Sequence, residues 1–165
     1  MTQKAFQDHY PDALSYCHGC GRLNEHGLHV KSRWDGDESV AFFVPEPYHM
    51  AIPGYVYGGL IASLIDCHST GTAMAAKYRA QGRAMDTDPP WRFVTASLHV
   101  DYLRPTPIDA PMELRGRVVG KKKGKTIVEV TLYSKDKLCV RGEVVAAQLP
   151  KRMRADRGGD SRPNK

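Results

Sequence analysis

The residues best suited to chemistry lie in one stretch, where a pair of glycines precedes a single carboxylate. Gly58 and Gly59 open a segment of apolar and small residues, and Asp66 lies seven positions beyond Gly59. The first N–H groups of a helix have no partner within it, and glycine lets another group approach them closely. Such N–H groups can stabilise a carbonyl oxygen that gains negative charge during attack. A carboxylate in apolar surroundings can act as a nucleophile or general base.

Both features also have a purely structural interpretation. Two glycines equally suit a helix that starts close against its neighbours, and the residues alone do not decide between these uses. Ser63, Asp66 and Thr70 lie at i, i+3 and i+7 and therefore share one helix face. Hydrogen bonds from these hydroxyls to the carboxylate would hold Asp66 in place without giving it a catalytic role.

The spacing of the glycines and the acid has a geometric consequence. Seven residues of α-helix rise about 10 Å, so one carbonyl group cannot contact both the Gly59 N–H and the Asp66 carboxylate of a single helix. If both groups act on one substrate, they come from two copies of the chain. The spacing therefore predicts a site that spans a dimer interface.

The surrounding segments predict an α+β fold. A helical pattern runs from Gly58 to about Arg79, with an apolar stripe that contains Leu60 and Leu64. Period-two alternation on either side of the Asp35-Gly36-Asp37 turn predicts a hairpin. The expected strands cover residues 27–34, 39–44, 93–104, 112–119, 126–134 and 138–149. The prediction is an antiparallel sheet of five to six strands wrapped on one long central helix.

Composition and charge exclude several classes of function. The chain has 165 residues and a net charge of +6, and its last fifteen residues hold six Lys or Arg against two Asp. We expect an N-terminal segment over residues 1–26, one domain over 27–149 and a disordered basic tail over 150–165. The mildly basic body argues against specific binding of nucleic acid. No apolar run approaches the ~20 residues that span a membrane, and nucleotide-binding glycine motifs are absent.

The cysteines pose a separate question. Cys17 and Cys20 have the spacing of zinc ligands, but a zinc site needs further ligands, and His18 and His26 stand in no recognised arrangement. Structural zinc and a redox pair are alternatives, and a packed N-terminal turn is the preferred interpretation. We therefore expect no metal and no cofactor. The N-terminus lacks a secretory pattern, so a cytoplasmic protein with free thiols is expected.

Two motifs resemble the hotdog-fold acyl-CoA thioesterases of the PaaI and THEM4-like group. The first is Pro53-Gly54-Tyr55-Val56-Tyr57-Gly58-Gly59 followed by Asp66, and the second is Val94-Thr95-Ala96-Ser97-Leu98-His99-Val100-Asp101-Tyr102-Leu103-Arg104-Pro105. Cys17-x-x-Cys20-Gly21 followed by Gly27-Leu28 is also similar to that group. The resemblance covers about residues 15–149. It implies a hotdog fold, hydrolysis of acyl-CoA or a related acyl thioester to free acid and CoA, and a homodimer or homotetramer.

The same resemblance implies roles for individual residues. Gly59 would polarise the thioester carbonyl through its N–H, and Asp66 from a second copy would act as nucleophile or general base. Thr95 would position the water or the acid. Further expected substrate contacts are Gly58, His49, Ser63 and Thr70, with Arg104 and Pro105 bordering the CoA channel. Lys121, Lys122 and Lys123 would either meet CoA phosphates or form only a solvated turn.

One position departs from the family pattern. The residue before the paired glycines is usually His, sometimes Asn, and here it is Tyr57. A phenol donates one hydrogen bond but does not titrate near neutral pH. Tyr57 is therefore expected to take the catalytic place of the family His and orient the substrate carbonyl with altered reach; weak activity or a changed substrate is the alternative. A noncatalytic acyl-CoA-binding hotdog protein is therefore the alternative function. A related dehydratase would show a His/Asp or His/Glu pairing that this helix lacks.

The loop between the helix and the next strand is the last expected element of the site. Residues 80–92 follow no regular pattern and form a longer connection than the resemblance requires. We expect this loop to shape or cover the acyl pocket, with Met85 and Trp91 as apolar contacts.

Overall fold

Six antiparallel strands form one sheet that packs on a long helix in the computed structural model, which describes residues 4–149. The helix, α1, spans Gly58–Ala80. The strands are β1 (Ser32–Asp35), β2 (Glu38–Phe43), β3 (Phe93–Tyr102), β4 (Met112–Lys122), β5 (Lys125–Ser134) and β6 (Lys137–Gln148). Their order across the sheet is β1-β2-β4-β5-β6-β3. The predicted fold class is confirmed, with six strands and the hotdog arrangement of sheet and helix.

The apolar stripe of α1 forms the centre of the core. Leu60, Ile61, Leu64 and Ile65 are all buried against the sheet. The helix lies close against β6 at Gly142, where an added Cβ atom would lie 2.7 Å from Cγ2 of Ile65. Because only glycine leaves room for the helix at that distance, this contact sets how closely α1 lies on the sheet. It thereby also sets the position of the adjacent Asp66.

A buried polar cluster ties α1 to the first two strands. The ring of His68 hydrogen-bonds Ser32 Oγ through Nδ1 at 2.9 Å and Ser39 Oγ through Nε2 at 3.0 Å. Ser39 also hydrogen-bonds Thr72 at 2.6 Å. Burial lowers the pKa of His68 to about 4, so the imidazole is neutral near pH 7. His68 therefore serves the core and lies outside the candidate site.

The first predicted strand forms only in part. β1 begins at Ser32 because the preceding residues hydrogen-bond to the cysteine turn instead: Leu28 N–H donates to His18 O at 2.7 Å and Val30 N–H to Gly19 O at 3.0 Å. His29 adopts a φ of 53°, which an extended strand does not contain. The prediction of a strand from residue 27 was therefore wrong. The hairpin turn at Gly36 is confirmed.

β3 is an edge strand with open faces. Its ten residues pair only with β6, and Val94, Leu98 and Tyr102 are 41%, 39% and 53% exposed. No other strand within residues 4–149 pairs with its outer edge. A long edge with exposed apolar side chains is a template for pairing with another chain. The strand that follows α1 thus offers an open edge that could pair with another chain.

None of the helices within residues 4–149 is long and apolar enough to cross a bilayer. The basic tail over residues 150–165 lies outside the described residues. Its predicted disorder and the predicted domain boundaries stay predictions.

Candidate active site

Helix α1 begins with open N–H groups. Leu60 and Ile61 donate to the carbonyl of Tyr57 at 3.1 and 3.3 Å, whereas the N–H groups of Gly58 and Gly59 have no backbone acceptor within residues 4–149. The Tyr57 ring lies over Gly59, where an added Cβ atom would be 2.6 Å from the phenol oxygen. Because 58% of Tyr57 is exposed, its ring has room to move aside. The residue that replaces the family His thus lies directly at the predicted carbonyl-binding position.

The Asp66 carboxylate meets Thr95 of β3. Thr95 Oγ1 donates a hydrogen bond to Asp66 Oδ1. Burial raises the pKa of Asp66 above its ordinary value; the bond from Thr95 opposes the rise, and the nearby sulfur of Cys17 adds to it. The register of β3 on β6 shifts between Thr95 and Ser97, and such a bulge re-aims side chains. The fold therefore joins an acid of raised pKa to a hydroxyl donor, an arrangement suited to a general base.

The two neighbouring hydroxyls on the helix do not hold Asp66. Ser63 Oγ donates to the Gly59 carbonyl at 3.0 Å, and Thr70 Oγ1 donates to the backbone carbonyl of Asp66 at 3.1 Å. Both side chains bond to their own helix, as Ser and Thr commonly do inside helices. The interpretation of Asp66 as a carboxylate held by these hydroxyls is therefore wrong, because its partner is Thr95.

Gly59 and Asp66 open onto different cavities of one chain. Gly59 lines a cavity of about 470 Å³ together with Tyr57, His49 and Ser63. Asp66 lines another of about 280 Å³ together with Thr70, Thr95 and cysteines 17, 20 and 67. The helix rise between the two residues is about 10 Å. Within one chain, a single carbonyl group does not reach both.

His49 belongs to the glycine side of the site. Its Nδ1 accepts a hydrogen bond from the Glu46 N–H at 2.9 Å, and its carbonyl accepts from the Tyr57 N–H at 2.8 Å. A neutral His49 therefore carries its proton on Nε2. The residue both holds the loop before α1 and lines the cavity in front of Gly59.

The far end of β3 lies beside the helix start. Tyr102 Oη donates to the Gly58 carbonyl at 2.6 Å, which fixes the strand to the first turn of α1. Arg104 follows two residues later, and its guanidinium donates to the Leu138 carbonyl at 2.7 Å. Arg104 and Pro105 are exposed there. β3 thus runs from Thr95 at Asp66 to Tyr102 at Gly58, along the whole candidate site.

Comparison with protein families matches residues 53–141 to the thioesterase superfamily. The match covers more than half of the chain and contains Gly59, Asp66 and Thr95. This chain belongs to the thioesterase superfamily. Its general activity is accordingly that of a thioesterase, a hydrolase of thioester bonds.

Solved structures place the chain among relatives of the same fold. A thioesterase superfamily protein from Shewanella loihica PV-4 is 45% identical with a TM-score of 0.64, over 86% of this chain and 100% of that one. A thioesterase from Haemophilus influenzae (14% identity, TM-score 0.63) aligns over 79% of this chain and 85% of its own. The E. coli PaaI protein of the phenylacetic acid degradation operon is 13% identical with a TM-score of 0.60, and it aligns over 74% of this chain and 81% of its own. The last two share the fold alone. Comparison with curated proteins gave no significant match.

The loop after α1 packs on the C-terminal end of the helix. Trp91 Nε1 donates to Gln81 Oε1 at 2.7 Å, and Lys77 Nζ lies 4.8 Å from the centre of the Trp91 ring. Arg83 donates to the Pro89 carbonyl at 2.8 Å and closes the loop on itself. The role of residues 80–92 in shaping or covering the acyl pocket stays a prediction.

Sequence reasoning missed two neighbours of the site. Tyr102 lies within the second family motif, but no role could be predicted for it, because its hydrogen bond to Gly58 depends on how β3 crosses α1. Cys67 follows Asp66 directly, yet its approach to Cys17, at an Sγ–Sγ distance of 3.6 Å, depends on the packing of the N-terminal segment. The only available signal was that Cys67 adjoins Asp66 in the sequence.

Proposed function

We propose that this protein hydrolyses acyl-CoA, or a closely related acyl thioester, to the free acid and the thiol. The proposed active site lies between two copies of the chain, with the Gly59 N–H from one copy and Asp66 from the other. The observation that carries the proposal is the pairing of Asp66 with Thr95 on an open edge strand, at a cavity separate from that of Gly59.

The edge strand supports a dimeric site. β3 presents unpaired backbone groups along ten residues and carries both Thr95 and Tyr102, the residues that contact Asp66 and Gly58. A two-fold axis at this edge runs the second β3 antiparallel to the first. The Asp66 end of one copy then faces the Gly58 end of the other. A homodimer, or a pair of such dimers, completes the site without any further element.

The proposed chemistry divides between the two copies. The Gly59 N–H and the positive end of α1 stabilise the oxyanion that forms when the thioester carbonyl is attacked. Asp66 removes a proton from the attacking water, and Thr95 holds the carboxylate in position. The C–S bond then breaks and the thiolate leaves as the free thiol with the proton that Asp66 carried. Direct attack by Asp66 is the alternative, with an anhydride that water hydrolyses.

Lysines near the acid support an anionic carrier such as CoA. Lys77, Lys121, Lys122, Lys123 and Lys125 line one cavity of about 370 Å³. Phe93 lines both this cavity and that of Asp66, so the two are adjacent. Phosphate groups favour such a cluster of ammonium groups. The arrangement fits a substrate whose acyl thioester lies at Asp66 and whose phosphates lie at the lysines.

The test is release of free thiol from a panel of acyl-CoA substrates by the purified protein. Asp66→Asn removes the base and is expected to lower kcat by about 10²–10⁴-fold while acyl-CoA still binds. Asp37→Asn, in the exposed β1–β2 turn, is the matched control and is expected to retain full activity. If the wild type binds but hydrolyses no member of the panel, the noncatalytic alternative favoured by Tyr57 replaces this proposal.

A further inference from the structure

Three cysteine sulfurs meet between the N-terminal segment and α1. The Sγ atoms of Cys17, Cys20 and Cys67 all lie within 4.8 Å of one another. Cys20 and Cys67 are buried, whereas Cys17 is exposed, and none forms a disulfide. The fold thus adds a third thiol to the Cys-x-x-Cys pair, for which the sequence offered only His18 and His26, in no recognised arrangement.

The separations of the sulfurs suit a shared metal ion. Tetrahedral zinc with Zn–S bonds of about 2.3 Å places its thiolate sulfurs about 3.8 Å apart. The sulfurs of Cys17 and Cys67 are 3.6 Å apart, and all three sulfurs lie within 4.8 Å of one another. Side-chain shifts of about 1 Å or less therefore bring all three sulfurs to ligand positions.

The turn that carries Cys17 and Cys20 is shaped to hold sulfur. The turn closes through a hydrogen bond from the Gly21 N–H to the Cys17 carbonyl at 2.8 Å. A Cβ atom added to Gly19 would lie 2.2 Å from Cys67 Sγ, and one added to Gly21 would lie 2.4 Å from Cys17 N. Gly19 therefore leaves the space that Cys67 occupies, and Gly21 allows the turn to close.

Coordination requires deprotonated thiols. The three thiols release their protons when they bind the metal, so metal binding depends on pH.

We propose that Cys17, Cys20 and Cys67 bind one Zn²⁺ ion through three thiolates, with the fourth position open to the cavity shared with Asp66 and Thr95. Water fills that position in the resting protein, as in zinc sites with three protein ligands. The ion joins the 17–20 turn, which also holds Leu28 and Val30 through backbone hydrogen bonds, to the centre of α1. Zinc thereby fixes the N-terminal segment on the helix that carries the proposed acid.

The test measures metal directly in the full-length protein. Protein purified without chelator is expected to contain one zinc per chain by elemental analysis. Reconstitution with Co²⁺ is expected to give the intense visible absorption of tetrahedral cobalt with thiolate charge-transfer bands. Cys67→Ser is expected to weaken binding by at least about tenfold and to shift these bands. Cys139→Ser, which alters a buried cysteine outside the cluster, is the matched control and is expected to keep both signals.

Two results would overturn the zinc site. One is wild-type protein that binds Zn²⁺ and Co²⁺ no better than the Cys17→Ser/Cys20→Ser/Cys67→Ser variant. The other is a mass two hydrogens lower than the reduced chain under non-reducing conditions, which identifies a disulfide in place of the metal. Because the readout is metal content and absorption, either result leaves the proposed thioester hydrolysis untouched. Circular dichroism of each variant separates loss of binding from loss of folding.

Discussion

The contact between Gly142 and Ile65 gives a quantitative test of how α1 is positioned. Gly142→Ala would place a methyl group 2.7 Å from Cγ2 of Ile65, which is buried between helix and sheet. Overpacking of this kind costs about 1–3 kcal/mol of the free energy of unfolding. Ile65→Leu removes the branching methyl that causes the clash at nearly constant volume. In that background we expect Gly142→Ala to cost at least about 1 kcal/mol less than in the wild type.

The assay is urea unfolding of the four proteins of this cycle at one fixed protein concentration, because the proposed dimerisation would make the measured stability depend on concentration. Gly120→Ala is the matched control, since its new Cβ atom would lie 3.3 Å from Cδ1 of Ile127, the mobile end of a side chain. We expect it to change stability by less than about 0.5 kcal/mol. Equal costs at Gly142 and Gly120, or no coupling with Ile65, would refute the claim that this contact sets the helix position.

Three further predictions concern the proposed site. Thr95→Val removes the hydrogen bond to Asp66 and is expected to lower kcat by at least about tenfold with little change in KM. Thr95→Ser keeps the hydroxyl and is expected to retain most activity. Equal activity of the wild type and both variants would contradict this role. Tyr57→His is expected to change kcat or the preferred acyl group in the substrate panel, because the ring lies over Gly59; an unchanged profile would separate Tyr57 from catalysis. Replacing Lys121, Lys122 and Lys123 by Gln is expected to raise KM for acyl-CoA severalfold but to leave KM for a phosphate-free acyl thioester unchanged. An equal rise in KM for the two substrates would refute phosphate recognition.

Much of the fold could be predicted from the sequence, because the patterns that indicate a helix or a strand are local. The apolar stripe of α1 predicted a helix that the structure places at Gly58–Ala80. The alternation before Ser32 did not correspond to a strand, because Leu28 and Val30 donate backbone hydrogen bonds to the cysteine turn. Period-two alternation carries no information about these partners. Where backbone partners come from distant segments, pattern alone does not fix the element.

The candidate site could be predicted from the sequence only in part, because some of its contacts join residues that are distant in the chain. The spacing from Gly59 to Asp66 follows from helix geometry and needs no structure. The bond from Thr95 to Asp66 depends on the β3 register and its bulge, so the sequence reached Thr95 only through family resemblance. Cys67 escaped notice because its partners, Cys17 and Cys20, lie about fifty residues away in the sequence.

Each proposed active site takes Gly59 and Asp66 from different chains, and mixing of subunits tests this division. Gly59→Ala adds a methyl group that displaces the Tyr57 ring toward the proposed carbonyl position. Asp66→Asn removes the base, and each homodimer is expected to be inactive. When the two variants are unfolded together in equal amounts and refolded, half of the dimers are mixed, and each holds one intact site. We expect recovery of about one quarter of wild-type activity. Mixed protein that is fully dimeric but no more active than either variant would contradict a site shared between chains.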